Sequence, residues 1–232
     1  MVNILSSPQN LITDTWVQAT WEEFIAVCDS LSEAPKDRLN DRPELEKAQC
    51  YYDAGWMRIE TIGTGSGHGQ DNTLLSQVVS LFGIVRNIRL KGFTNTSFRR
   101  VGVRESQPDL AFYIADDIPD PFPPKTTELI SVETYGAPTL AIEISLSTLS
   151  DDLGQKRLLY ERLGVREYWV VDVQNATMIA FAVKDGGSWE IRASQVLPEL
   201  TMNTIEEALR QSQTLDDTEV NRWIMQQFQS IA

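Results

Sequence analysis

Histidine occurs once and cysteine twice in this chain of 232 residues. Cys28 and Cys50 belong to no CxxC or Cys/His cluster, which argues against a disulfide framework and against a zinc site. No uninterrupted apolar run approaches the ~18 to 20 residues that span a bilayer, so no membrane role is expected. The opening MVNILSSPQNLITDTW lacks a basic segment followed by an apolar one and does not read as a secretory signal. A cytoplasmic protein is the simplest reading. No DxDxDG loop is present, which argues against an acidic Ca²⁺ binder. Basic charge is scarce as well. There are 20 Lys and Arg against 33 Asp and Glu, a formal net charge of -13. Nucleic-acid binding draws most of its affinity from Lys and Arg neutralising phosphates, so such a role needs local compensation.

The charge is uneven. Arg86, Arg89, Lys91, Arg99, Arg100 and Arg104 fall in one stretch without an acid, and an acidic stretch follows from Glu105 to Glu133. A locally basic strip can touch phosphate while the rest repels it, which makes Arg99 and Arg100 candidate phosphate contacts. The same residues also suit a plainer role. Arg86 and Arg89 would complement a helix C-terminus and the others would be solvated.

Apolar residues make up 42% and charged residues 23%, an ordinary globular balance. Thr20-Trp-Glu-Glu23 reads as a capping box opening a helix whose apolar face is Trp21, Phe24, Ile25 and Cys28. Ser32–Arg42 reads as a loop. Cys50–Ile62 reads as a hairpin around Asp53-Ala54-Gly55. Asn72–Val85 carries a buried-helix pattern. Strands follow near Phe98–Val103 and Leu110–Ile114, then a proline-rich loop at Asp116–Pro124. Thr139–Leu146 is a strongly apolar strand. Asp151–Leu163 is a helix stopped by Gly164. Glu167–Val173, Met178–Val183 and Trp189–Ile191 are strands, and the last ~30 residues are helical, with Leu215–Phe228 acidic at its start. Strand, helix, strand in the central third points to an α/β or α+β fold with a partly parallel sheet. The organisation expected is an N-terminal helix and loop over 1–45, a core over 46–195 and a C-terminal helical extension over 196–232, one domain overall.

Chemistry concentrates near Glu143. Strand side chains alternate, so Leu140, Ile142, Ile144 and Leu146 share one face while Ala141, Glu143 and Ser145 share the other. A buried carboxylate needs compensation by an Arg, a Lys or a metal ion. Asp109 begins another strand. Lys156 follows on the next helix, where Asp152, Lys156 and Tyr160 are four apart and share a face. Two carboxylates can hold Mg²⁺. Such an ion polarises a phosphoryl oxygen and acidifies a bound water, and a lysine can orient that water or stabilise developing charge. Structural ion pairs produce the same pattern, so it is not specific by itself.

Pro108-Asp109, Glu143-Ile-Ser145, Asp152-x3-Lys156-x3-Tyr160 and Gly164-Val-Arg-Glu-Tyr-Trp-Val-Val-Asp172 together resemble the Uma-type restriction endonuclease family of the PD-(D/E)XK superfamily. The resemblance runs from about Trp21 to Val183 and is most specific over Leu140–Asp172. It implies a restriction-endonuclease-like core, a central mixed β-sheet flanked by helices. It also implies Mg²⁺-dependent hydrolysis of DNA phosphodiester bonds, with Mn²⁺ able to substitute, and a homodimer. Asp109 and Glu143 would be the metal-binding acids. Ser145 stands where the superfamily motif has its lysine, and Lys156 would take that role from the following helix.

Other positions are open to two readings. His68, in Gly63-Thr-Gly-Ser-Gly-His-Gly-Gln, suits phosphate or outer-shell contact, or a local hydrogen bond at a helix start. The glycines around it do not make a P-loop. Glu60 suits an additional acid or a solvent-facing strand position. Tyr168 and Trp169 read as strand packing, and no sequence-reading module is marked. A second function class also fits: a catalytically inactive nuclease-fold module serving as a dimerisation or protein-interaction scaffold. The net charge and the displaced lysine favour it.

Overall fold

The computed structural model describes residues 11–32, 42–61 and 65–230. The loop expected at Ser32–Arg42 lies, apart from its two end residues, outside the described residues. So do the first ten residues, and Ile62 to Thr64 with part of the glycine stretch. The chain forms two compact units, one of Met1–Gly63 with Ser97–Gln107 and one of Thr64–Thr96 with Pro108–Ala232. Elements are numbered below in chain order.

The first unit holds β1 (Val17–Gln18), α1 (Trp21–Ser32), a 3₁₀ turn at Pro43–Lys47, β2 (Gln49–Asp53), β3 (Trp56–Glu60), β5 (Phe98–Arg100) and β6 (Arg104–Ser106). The capping box is present: Glu23 Oε2 accepts from the Thr20 N–H at 2.7 Å, and Thr20 Oγ1 accepts from the Glu23 N–H at 3.2 Å. Helix α1 buries Phe24 and Val27 against Leu45, Tyr52, Met57 and Ile59. The β2–β3 hairpin turns at Ala54 (φ 45°) and Gly55 (φ 101°), two left-handed positions that match the twist of the paired strands. The strand expected over Phe98–Val103 is shorter. Gly102 takes φ 74° and turns the chain back, so β5 and β6 pair antiparallel with Arg100 opposite Arg104. Glu60 does not face solvent. It is 7% exposed and bonded to Arg58 Nε at 2.7 Å, because β2 and β3 bury both of their faces rather than one.

The second unit holds α2 (Ser66–Arg86), β4 (Leu90–Thr94), β7 (Leu110–Ile114), a short β8 (Ile130–Ser131), α3 (Val132–Tyr135) and β9 (Leu140–Ser145). A helical stretch follows: α4 (Leu149–Asp151), a π-helical turn at Asp152–Lys156, and α5 (Arg157–Leu163). The chain continues with β10 (Glu167–Asp172), β11 (Thr177–Lys184), β12 (Gly187–Ile191), α6 (Met202–Gln211) and α7 (Asp217–Ser230). One sheet runs β12-β11-β10-β9-β7-β4. It is mixed: β9 and β10 are parallel and the other neighbours antiparallel. On one face Leu110, Phe112, Leu140, Ile142, Ile144, Trp169 and Val171 pack with the apolar sides of α2, α6 and α7. Each large apolar side chain buried there contributes about 1.5–3 kcal/mol. On the other face stand Glu143 and Tyr168, met by Tyr160 of α5. This is the α+β arrangement expected, a central mixed sheet flanked by helices.

Some boundaries in this unit differ from expectation. Helix α2 starts at Ser66, six residues early, because its first turns are polar and carry no apolar period. Leu146 lies beyond β9 and is 38% exposed. The C-terminal stretch is two helices, because the Asp216 carboxylate accepts from the Thr218 and Glu219 N–H groups and starts α7 afresh. Gly164 ends α5 at φ 102°, as its left-handed position requires. Among the described residues no helix is long and apolar enough to cross a membrane.

Candidate active site

Everything at the candidate site belongs to the second unit, and β9 organises it. Leu110 of β7 pairs with Ile142 of β9, so Asp109, one residue earlier, stands opposite Glu143. Directly opposed residues of an antiparallel pair project to the same side. The short chain of β7 to β9 contacts therefore places both acids together, although 34 residues of sequence separate them.

Each acid is held by a different set of partners. Asp109 Oδ2 accepts from the Ile144 N–H at 2.7 Å, and Oδ1 lies 3.2 Å from His68 Nε2. Glu143 Oε1 accepts from the Tyr160 hydroxyl at 2.6 Å, and Oε2 lies 3.8 Å from Lys156 Nζ. Lys156 is closer to Asp152, whose Oδ1 is 2.9 Å from Nζ. Asp152 Oδ2 accepts from the Thr148 hydroxyl at 2.7 Å, its carbonyl accepts from the Tyr168 hydroxyl at 3.0 Å, and Thr148 in turn lies 3.4 Å from Ser145 Oγ. Asp109, Glu143, Asp152 and Lys156 are exposed by 3%, 2%, 1% and 0%. At that depth charge must be balanced by near neighbours. Here Glu143 and Asp152 share the Lys156 ammonium, and Asp109 has His68 beside it.

Burial raises the Tyr160 hydroxyl pKa well above its ordinary range, and the Glu143 carboxylate adds to the rise. Tyr160 is therefore a protonated donor, not a base. Asp71, one turn beyond His68 on α2, is pushed up by burial to about 6 while His68 pulls it down. A ¹³C-carboxyl titration should find its midpoint near 6 and lose that signal in Asp71→Asn. Its folded-state value is the higher one. Its contribution to stability is therefore present below the ordinary aspartate range and lost as pH rises through about 6.

Of the residues singled out in the sequence, Asp109, Glu143, Lys156, Tyr160 and His68 come together. Glu60, Arg99 and Arg100 lie in the other unit. Arg99 is paired with Glu105 and stacks over Trp21 at 5.5 Å, and Arg100 is half-buried in β5. Asp152 was visible as a helical neighbour of Lys156, and its i, i+4 spacing was the available signal of a pair. Thr148 and Asp71 gave no signal.

The family model Uma2, described as "Putative restriction endonuclease", matches residues 36–218. The chain belongs to this family. A solved structure described as a putative nuclease belonging to DUF820, from Anabaena variabilis, is 18% identical over 89% of this chain and 99% of that one, with a TM-score of 0.48. No curated protein matches the chain. The family match contains all five residues that converge on the second unit's sheet.

Among the described residues no group of three or more His, Cys, Asp and Glu side chains is spaced to cage a metal ion. The donor set nevertheless fits a hard cation that keeps most of its waters. Two opposed carboxylates could supply oxygen ligands, and Mg²⁺ characteristically takes one or two carboxylates and completes its shell with water and phosphate.

Proposed function

We propose that the chain is a Mg²⁺-dependent endonuclease that hydrolyses DNA phosphodiester bonds. One observation carries this reading: Asp109, just before β7, stands opposite Glu143 of β9, with Lys156 against the second acid in the same buried cluster. Membership of the family described as "Putative restriction endonuclease" supports it.

Asp109 and Glu143 would hold the ion, with Mn²⁺ able to replace it. When bound, the ion lowers the pKa of a water and polarises the phosphoryl group. Tyr160 donates to Glu143 Oε1 and fixes that carboxylate's orientation. The Ile144 N–H and His68 do the same for Asp109. Positioned acceptors of this kind matter because a misplaced ligand costs far more rate than a slightly weaker one. The Lys156 ammonium beside Glu143 would supply positive charge that could orient an attacking water or offset the negative charge that grows as the P–O bond breaks. The assembly that the family resemblance implies is a homodimer, and the compartment is the cytoplasm. Arg99 and Arg100 remain candidate phosphate contacts.

A cleavage screen on plasmid, single-stranded DNA and RNA with Mg²⁺ or Mn²⁺ tests the reading, run beside Asp109→Asn. Cleavage of DNA that needs the metal and disappears in the variant is expected. Equal cleavage by the variant defeats the assignment of Asp109. Lack of any cleavage, together with no calorimetric Mg²⁺ binding, favours the second reading, an inactive nuclease-fold scaffold. Two observations favour that second reading, the net charge of -13 and Ser145 in the place of the motif's lysine.

A further inference from the structure

The structure assigns to Asp152 the task of positioning Lys156: the carboxylate anchors the ammonium that serves the reacting centre. This rests on the nuclease reading above and adds a residue to it. Three observations point the same way. The ammonium lies 2.9 Å from Asp152 and 3.8 Å from Glu143, so of these two acids the closer is the one that holds no candidate metal. Asp152 Oδ1 receives no aligned hydrogen bond among the described residues, so its interaction there is the charge of Lys156. The rest of Asp152 is tied down by Thr148 at Oδ2 and by Tyr168 at the carbonyl.

The backbone supplies the reason for this placement. Residues Asp152–Lys156 form a π-helical turn inside an otherwise α-helical stretch. Such wide turns occur mostly as single insertions at functional sites. A wide turn changes the angle between the residues before and after it. Here Lys156 and Tyr160 both face Glu143, while Asp152 stays beside Lys156. Lysine has a long flexible stem with a single point charge. Without an anchor its ammonium would fold onto Glu143 and compete for the oxygens that a cation needs. With Asp152 in place, the ammonium stays 3.8 Å from Glu143 Oε2, within ion-pair range but beyond hydrogen-bond distance.

The test uses full-length protein labelled with ¹⁵N-lysine, without metal. A buried, paired ammonium exchanges its protons slowly and gives an Nζ correlation, assigned by its loss in Lys156→Met. The signal should shift or broaden away in Asp152→Asn and stay close to its wild-type position in Glu143→Gln. A smaller displacement in the same direction is expected in Thr148→Val, which loosens Asp152 without leaving a bare charge. Displacement by Glu143→Gln alone, by both acids equally, or by neither overturns the assignment. If Asp152→Asn does not fold but Asp152→Asn with Lys156→Met does, the proposal is supported, because removing the stranded ammonium repairs the damage. A double variant that also fails to fold overturns it.

A kinetic arm separates positioning from general stability. Asp152→Asn should lower the single-turnover cleavage rate ~10- to 100-fold, the usual loss for a supporting partner, with DNA affinity unchanged. In the Lys156→Met background it should cost nothing further, whereas a merely structural role gives additive losses. Inactive wild-type protein would sink the nuclease reading, while the lysine spectra would still decide which acid anchors Lys156.

Discussion

Glu143→Gln should remove most metal-dependent cleavage, roughly 10²- to 10³-fold, while leaving the protein folded. The substitution keeps the shape of the side chain and takes away its charge. Tyr160 still finds a carbonyl oxygen to accept its hydroxyl proton, so the 2.6 Å contact at Oε1 survives. Lys156 keeps Asp152, its closer partner at 2.9 Å, so no ammonium is left without a carboxylate. Stability should therefore move by less than about 1 kcal/mol, the range of a substitution that strands no buried group. Glu143→Ala is a poorer probe. It leaves the fully buried Tyr160 hydroxyl without an acceptor, a cost of about 1–3 kcal/mol. A cleavage time course beside a thermal melt checks both halves. A Gln variant as active as wild type would place the catalytic acid elsewhere. A Gln variant that melts far below wild type would mean the cluster exists to hold the fold.

What the sequence revealed, and what it hid, follows from the range over which each signal acts. Alternation along Thr139–Leu146 is local. It separated Leu140, Ile142 and Ile144 from Glu143, and the sheet keeps that division. Gly164 and the Thr20–Glu23 box are local as well, and both end or start their helices as read. Resemblance over Leu140–Asp172 pointed to the family, and the family match bears it out. Longer-range facts were hidden. Nothing in Cys50–Ile62 shows that Glu60 lies beneath cover, because burial on both faces of a strand depends on what packs later. Nothing in Phe98–Val103 separates a strand from a hairpin except Gly102, whose positive φ becomes decisive only once β6 pairs back. The i, i+4 spacing signalled the 2.9 Å pair of Lys156 with Asp152, but no periodicity announces the π turn that runs between them. The basic strip from Arg86 to Arg104 shows the same limit. Arg86 pairs with Glu199, Arg99 with Glu105 and Arg104 with Asp53, so much of the charge is already answered by acids distant in sequence or hidden in a hairpin.

Glu167→Ala should be the most destabilising single substitution away from the candidate site, at about 3–5 kcal/mol. Glu167 opens β10 and is fully buried. Its Oε2 accepts from Trp169 Nε1 and Ser194 Oγ, both at 2.9 Å. Its Oε1 accepts from the Val196 N–H at 3.0 Å and from the Gln195 N–H. Ser194 Oγ then accepts from the Leu197 N–H at 2.9 Å, so one carboxylate pins the segment that leads into α6. Alanine strands donors that have no water to turn to. Glutamine is no rescue, since its amide nitrogen would face a pair of donors whichever way it turned. Thermal unfolding should show a fall of roughly 10 °C for a chain of this size. Linkage gives a second, independent readout. Burial raises the Glu167 carboxyl pKa, and its four donors only partly offset that. The folded state therefore holds the proton at a pH where the unfolded chain has released it. The stability this group contributes is complete below the ordinary glutamate range and declines as pH rises through the folded value. Glu167→Ala should remove that decline from the stability–pH curve as well as lowering it. A variant that keeps the wild-type slope would assign the titration to another acid, with Glu105, which burial also raises, as the first to replace.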